Sequence, residues 1–252
     1  MDGSLASFAA SVAGIDDSRH LWRAARAFLR ARGVVRMSYH HQSVVTPESA
    51  VVVAEGFPKD WVRHYVEHEL SLADPITALA AKRSQPFFWS DVDMLTTLTG
   101  TEAAFLCELE TAELGDGLAM QVYGPNMRSA YVGLGFGPGL RPDLAPAGVF
   151  ELKAAVQIAH LRFCEITEHR TALERDLSPR EEEILGWIAR GKSNGVIASI
   201  LGLSRHTVDT LVRRLFDKLG VADRTTAVIR GLGAGVIDLS GPARVARMGD
   251  MP

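Results

Sequence analysis

Apolar residues recur along this chain with two different periods, and the change from one to the other marks its parts. Leu21, Trp22, Ala25, Phe28 and Leu29 fall on one face of a helix over residues 18–32, which Gly33 ends. Val34–His41 and Ser49–Ala54 read as strands, followed by a helix from Lys59 to Leu70 and another opening at Pro75. Thr101–Leu114 returns to a helical pattern. Leu118–Tyr123 and Ser129–Phe136 read as a hairpin that turns at Gly124-Pro125-Asn126, and a long helix from about Pro146 to Arg170 closes the region. Antiparallel strands with helices outside them predict an α+β domain, an α/β/α sandwich.

Beyond a charged stretch from Glu165 to Asp176, every signal is helical. Ser178 is an N-cap, Pro179 opens the helix and Glu181 completes a capping box; Gly191 ends that helix. A short helix through Val196, Ile197, Ile200 and Leu201 stops at Gly202. A third, after Ser204, repeats Val208, Leu211, Val212, Leu215 and Leu219 at helical spacing up to Gly220, and Arg224–Leu232 makes a fourth. The expected organisation is a first domain over 1–170, a linker over 171–176 and an all-α four-helix domain over 177–252.

Composition narrows the function classes. With 47% hydrophobic and 23% charged residues, the 252-residue chain reads as ordinary globular protein. The first thirty residues resemble neither a secretory nor a transit signal, and no apolar run approaches a membrane span, so a cytoplasmic protein is expected. Cys107 and Cys164 lack metal-ligand spacing, and His40-His41 would point to opposite faces of a strand. No phosphate loop or Ser/His/Asp arrangement appears, so neither an enzyme nor a cofactor is expected. Asp16 and Asp17 do not follow a hydrophobic strand, which argues against a phosphorylated receiver. Net charge is -3, but from Thr171 onward 12 Lys and Arg stand against 10 Asp and Glu, a mild basic bias.

Two short helices joined by a glycine turn describe a helix-turn-helix. Opposite the apolar stripe, Arg205, His206 and Thr210 could reach base edges or phosphates, and Arg213 and Arg214 suit the backbone. Lys192 and Ser193 would meet phosphate at the entrance to the second helix; Ser204, Thr207 and Lys218 complete the candidate set. The bland reading, a mixed-charge surface helix, fits Asp209 and Asp217 better. The string LSPREEEILGWIARGKSNGVIASILGLSRHTVDTLVRRLFDKLGVADRT then closely resembles the LuxR-type helix-turn-helix, which implies binding of promoter DNA as a homodimer. Two residues depart from that pattern: Val196 where Glu is usual and Leu211 where His is frequent.

LuxR-type tails follow several kinds of input domain, so the first 170 residues decide the class. Trp61, Tyr65, Asp74-Pro75, Trp89 and Gly117 stand at the intervals of the acyl-homoserine-lactone-binding domain of quorum-sensing receptors, which this region resembles. The resemblance implies that Trp61 donates to the lactone carbonyl, Asp74 accepts the amide N–H, Tyr65 donates to the acyl carbonyl and Trp89 walls the ring. On the residues alone, Trp61 and Tyr65 also fit a core, Asp74 also fits a helix cap, and Gly117 fits close packing. Phe57 stands where some relatives have Tyr. Gly133 stands where relatives often place Ser or Thr, which puts a 3-oxo preference in doubt. Tyr39, Val52, Phe87, Phe105 and Met120 are expected near the acyl chain. The alternative is a ligand-independent interaction module ahead of the same DNA-binding domain.

Overall fold

The computed structural model describes residues 3–42, 52–137, 141–171 and 177–237, with the side chains of the helix Pro146–Thr171 followed as far as Thr167. The chain separates into two compact units, Met1–Arg170 and Thr171–Pro252. The start of the expected strand at 49–51, the expected linker beyond Thr171 and the residues after 237 lie outside the described residues.

In the first unit α1 (Leu5–Ala13) and α2 (Ser18–Arg30) begin at side-chain caps, Ser4 accepting from Ser7 N at 3.1 Å and Asp17 from His20 N at 3.0 Å. Each cap satisfies a donor that the first turn leaves unpaired. Among the described residues the strands form one five-stranded antiparallel sheet in the order β2-β1-β5-β4-β3, with β1 Arg36–Gln42, β2 Val52–Glu55, β3 Phe87–Phe88, β4 Gly117–Tyr123 and β5 Ser129–Gly135. The predicted hairpin is β4–β5, closed by Gly124 N–H donating to Arg128 O at 2.8 Å. The strand expected from Val34 begins at Arg36, because Val34 N–H still bonds back to Leu29 O.

Cross-strand register decides which residues share a face. The rows Tyr39–Val132–Met120 and Met37–Leu134–Leu118 belong to one side; Ser38–Gly133–Ala119 and His40–Tyr131–Gln121 belong to the other. Against the first side pack α1, α2 and α7 (Pro146–Thr171), whose Leu152, Ala155, Val156, Ala159 and Phe163 repeat at helical spacing in one apolar core. Over the second side lie α3 (Lys59–Glu67), α4 (Pro75–Ala80), α5 (Val92–Leu95) and α6 (Gly100–Thr111), with a separate core around Leu79, Trp89, Val92 and Phe105. The layers are helix, sheet, helix, as expected. The helix predicted to reach Leu70 stops at Glu67: Glu69 turns left-handed at φ 50, and Leu70–Leu72 form a 3-10 turn.

Among its described residues the second unit forms four helices, α8 (Pro179–Ala189), α9 (Asn194–Leu201), α10 (Arg205–Leu219) and α11 (Arg224–Gly233), around Ile184, Leu185, Ile197, Val208, Val212 and Leu215. Gly202 and Gly220 end α9 and α10 at φ +65 and +61, a backbone that side-chain-bearing residues adopt at a cost.

Candidate functional site

The Ser-Pro-Arg-Glu element at the start of α8 does more than begin a helix. Ser178 and Glu181 form the reciprocal capping box. Arg180 reaches across to the carbonyl of Leu201, the last residue of α9, at 3.1 Å. Buried Glu181 also holds Lys218 of α10 at 2.9 Å. Burial would raise that carboxyl, but the Ser178 backbone N–H and the Lys218 ammonium bring it below its ordinary value. One tetrapeptide thus fixes the ends of both helix-turn-helix elements.

Lys218, expected on DNA, is therefore engaged within the fold. Ser193 and Ser204 are N-caps of α9 and α10, and the Ser204 and Thr207 hydroxyls bond each other at 2.8 Å. Thr210 returns its hydroxyl to His206 O. Lys192, Arg205, His206, Arg213 and Arg214 stand exposed, the last four along α10. Asp209 is bound by Asn194 Nδ2 at 2.7 Å, and Asn194 is in turn held by Arg224 at 2.6 Å. That chain ties α9, α10 and α11 together and explains an acid on this helix that sequence reasoning could treat only as a surface residue.

In the first unit a hollow lies between the sheet and α3. Its volume is about 110 Å3, and its lining is mostly apolar. Of the expected ligand residues, Phe57, Trp61, Tyr65, Asp74, Trp89, Val52 and Phe105 surround it. Phe87 is in the adjoining core but not at the wall. Tyr39 and Met120 are corrections: both belong to the opposite side of the sheet, where the Tyr39 hydroxyl meets His160 Nδ1 at 2.8 Å. Expecting them here was wrong by one residue of strand alternation, which reverses the face.

Sequence reasoning missed the actual floor, Ser38, His40 and Tyr131, and the wall residues Val62, Ile76 and Leu109. Gly133 lies beneath that floor: a Cβ there would come within 2.6 Å of Ser38 Oγ and 2.7 Å of the Tyr131 oxygen. Gly117 has a comparable role, since a Cβ would come within 2.5 Å of the Trp89 indole ring. The indole rests on bare backbone. On its far side is an open groove of about 690 Å3 that also touches Leu109 and is edged by Asp93, Glu110, Glu113 and Asp116.

Asp74 is the electrostatic centre of the hollow. Its Oδ1 caps α4, accepting from Ile76 N at 2.8 Å, while Oδ2 accepts from the Tyr65 hydroxyl at 3.0 Å. Burial pushes its carboxyl up to about 6, against the pull of hydrogen bonds from Ile76, Tyr65 and Thr77. Burial likewise raises the Tyr65 and Tyr131 hydroxyls above their usual range, and the Asp74 charge adds to both shifts. Both phenols remain protonated donors. α3, which carries Trp61 and Tyr65, has no buried residue and no side-chain cap; it is tied to α6 through His64 and Glu108 at 2.9 Å and to Asp74 through Tyr65.

Comparison with known proteins agrees with this division of the chain. Residues 17–163 match the autoinducer binding domain, and residues 175–230 match the bacterial regulatory proteins of the luxR family. The quorum sensing-dependent transcriptional regulator RpaR of Rhodopseudomonas palustris is 31% identical over 191 residues, 75% of this chain and 76% of that protein. The transcriptional activator BjaR1 of Bradyrhizobium diazoefficiens is 27% identical over 180 residues, 71% and 72% of the two chains. Among solved structures, SdiA of Escherichia coli superposes with a TM-score of 0.76 at 16% identity, over 92% of this chain and 97% of that one. SdiA in complex with octanoyl-rac-glycerol gives 0.74 at 17%, over 91% and 93%. The chain belongs to the LuxR family of bacterial transcriptional regulators, as a member with an N-terminal autoinducer-binding domain.

Proposed function

We propose that the hollow under α3 binds an acyl-homoserine lactone and that the protein, as a cytoplasmic homodimer, carries this signal to promoter DNA. The observation that carries the reading is the Tyr65–Asp74 hydrogen bond inside a cavity whose lining is mostly apolar. An acyl amide offers both complements: its N–H replaces the phenol on Asp74 Oδ2, and its carbonyl takes the released Tyr65 hydroxyl. Each exchange keeps buried polar groups paired, which a purely apolar ligand would not do. Half-buried Trp61 donates to the ring carbonyl, and Trp89 and Phe105 take the apolar parts; all three line the hollow.

The cavity is smaller than the ~300 Å3 at which small-molecule pockets usually begin. Ligand therefore enters by moving a wall, and α3, which has no buried residue, is the element to move. Binding then completes a core that is otherwise hollow and stabilises the folded protein.

For DNA, exposed Arg205 and His206 at the start of α10 read base edges, while Lys192, Arg213 and Arg214 meet phosphate. Ser193, Ser204, Thr207 and Thr210 serve through exposed backbone or hydroxyl edges beside them. The exposed Phe150 and Leu161 of α7, together with 224–237, are the proposed dimer surfaces.

The experiment is a thermal melt of the full chain across a lactone series. A saturating ligand at about 100 times Kd should add ~2.7 kcal/mol to stability and raise Tm. A Tm indifferent to every lactone would favour the ligand-independent module.

A further inference from the structure

Charge is segregated within the first unit. Residues 1–170 hold 15 Lys and Arg against 20 Asp and Glu, yet from Ser18 to Pro47 there are six arginines and no acid. Arg32 and Arg36 are used inside the fold, Arg32 on Glu151 and the Phe28 carbonyl, Arg36 on the Leu114 carbonyl. The other four, Arg19, Arg23, Arg26 and Arg30, recur every three or four residues along α2. They form one stripe, turned away from buried Leu21, Ala25, Phe28 and Leu29. Arg26 meets Glu55 of β2, and Arg19 lies 3.9 Å from Asp17. Arg19, Arg23 and Arg30 are exposed, and Arg23 and Arg30 have no ion-pair partner among the described residues.

This stripe works against the helix that carries it. Arg19 stands in the first turn, where the macrodipole disfavours a cation and where α2 has no acid. Arg19 with Arg23, and Arg26 with Arg30, are like charges at i, i+4, which repel. The fold accounts for Arg26 through Glu55, and for Arg30, which suits the dipole in the last turn. It accounts for neither Arg19 nor Arg23.

We propose that this face of α2 binds the phosphate backbone of DNA, as a contact separate from that of the helix-turn-helix. From Arg19 to Arg30 the stripe runs about 16 Å at about 1.5 Å per residue. A duplex offers a phosphate about every 3.4 Å of its axis on each strand, so several fall within its length. Arginine throughout, with no lysine, suits a planar donor fork on phosphate oxygens. A lipid surface fits less well, because a helix lying in it inserts an apolar face, and that of α2 is already buried in the core. Such a contact reads no sequence; it adds affinity to the site that the helix-turn-helix selects.

The test follows the binding of the full chain to a labelled DNA duplex of mixed sequence from about 50 to about 200 mM salt. Arg19→Gln, Arg23→Gln and Arg30→Gln together should weaken binding about tenfold and reduce the slope of log affinity against log salt by about 3. Their Tm should not fall, because repelling charges have gone, and Lys at the same three positions should restore the slope. Lys59→Gln, Arg63→Gln and Lys82→Gln, which remove the same charge elsewhere on the unit, should leave the slope unchanged. With Arg205, Arg213 and Arg214 of α10 replaced by Gln, a residual salt-dependent affinity should persist and then vanish when the stripe is neutralised too. An unchanged slope in the stripe variant, or an equal loss in the charge-matched control, would overturn the proposal. So would stripe-dependent binding to phosphatidylglycerol vesicles or polyglutamate with the DNA slope unaltered. A natural chain that binds no duplex would instead overturn the DNA reading above, and this inference with it.

Discussion

The two sides of the sheet bury similar side chains and do opposite things with them. On the side of α7, the Tyr39 hydroxyl is closed off against His160, Arg128 donates to the Cys164 carbonyl at 2.7 Å, and buried His41 packs on the Tyr39 and Phe163 rings within an otherwise apolar core. On the side of α3, the phenols of Tyr65 and Tyr131 surround open space. The same strands supply both sides. A packed face and a receptive one therefore differ in whether alternate residues are given neighbours, and the cost of the unfilled side is offset by the filled one.

Adjacent residues of β4 test that contrast most sharply. Met120→Ala on the packed side should cost about 2–5 kcal/mol in urea unfolding, as core truncations that leave a cavity do. Gln121→Leu on the hollow side should be neutral or stabilising, since it removes a buried oxygen without a partner. Equal losses at the two positions would erase the distinction between the faces.

A smaller effect is expected at the centre of the hollow. Asp74→Asn keeps the cap of α4, because Asn serves that position as well as Asp, and it removes a buried charge, so the melting temperature at neutral pH should not fall. Lactone affinity should fall by roughly 10–100-fold, the share of a charged hydrogen bond. If affinity survives while stability collapses, Asp74 is structural alone.

Smaller again, the two sides should titrate in opposite senses. Asp74 has a folded pKa of about 6, above its usual 3.8, so its contribution to ligand-free stability is complete below 3.8 and is lost as pH rises through about 6. His41 and His160 are lowered to about 4 by burial first, with Arg128 adding to both and His41 to His160. Their contribution is present above 6.5 and lost as pH falls through about 4. Asp74→Asn should remove the first dependence from a plot of stability against pH and keep the second; loss of both together would show that one group does not govern each side. Ligand that donates to the carboxylate should also bind less well as pH falls below about 6.

Much of this was legible in the pattern of the chain. The α7 stripe, the β4–β5 hairpin and the four C-terminal helices follow from periodicity and caps, because each is decided by residues close in sequence. The parity of β1 and β4 was not decided locally. Both sides of those strands are buried, so alternation of apolar and polar residues fades, and Tyr39 and Met120 were expected on the wrong one. A signal did exist: Ser38 and His40 alternate with Met37 and Tyr39, and Gln121 interrupts an apolar run. Polar residues two apart inside a buried strand marked the hollow side. The second roles of Arg180 and Glu181 were invisible for a different reason, since their partners Leu201 and Lys218 lie 21 and 37 residues away. Strand β3 is only two residues long, too short for any period to declare itself.

Gly117 sets the depth of the cavity by what it lacks. The Trp89 indole lies where a methyl group on Gly117 would be, and a methyl there would force the ring off its bed. Forced inwards, the indole would occupy the volume reserved for the signal, and the protein would carry its own plug. On the proposed reading, a receptor that waits for its signal and one that carries a plug of its own are thus separated by a single carbon atom, on a residue that has no side chain.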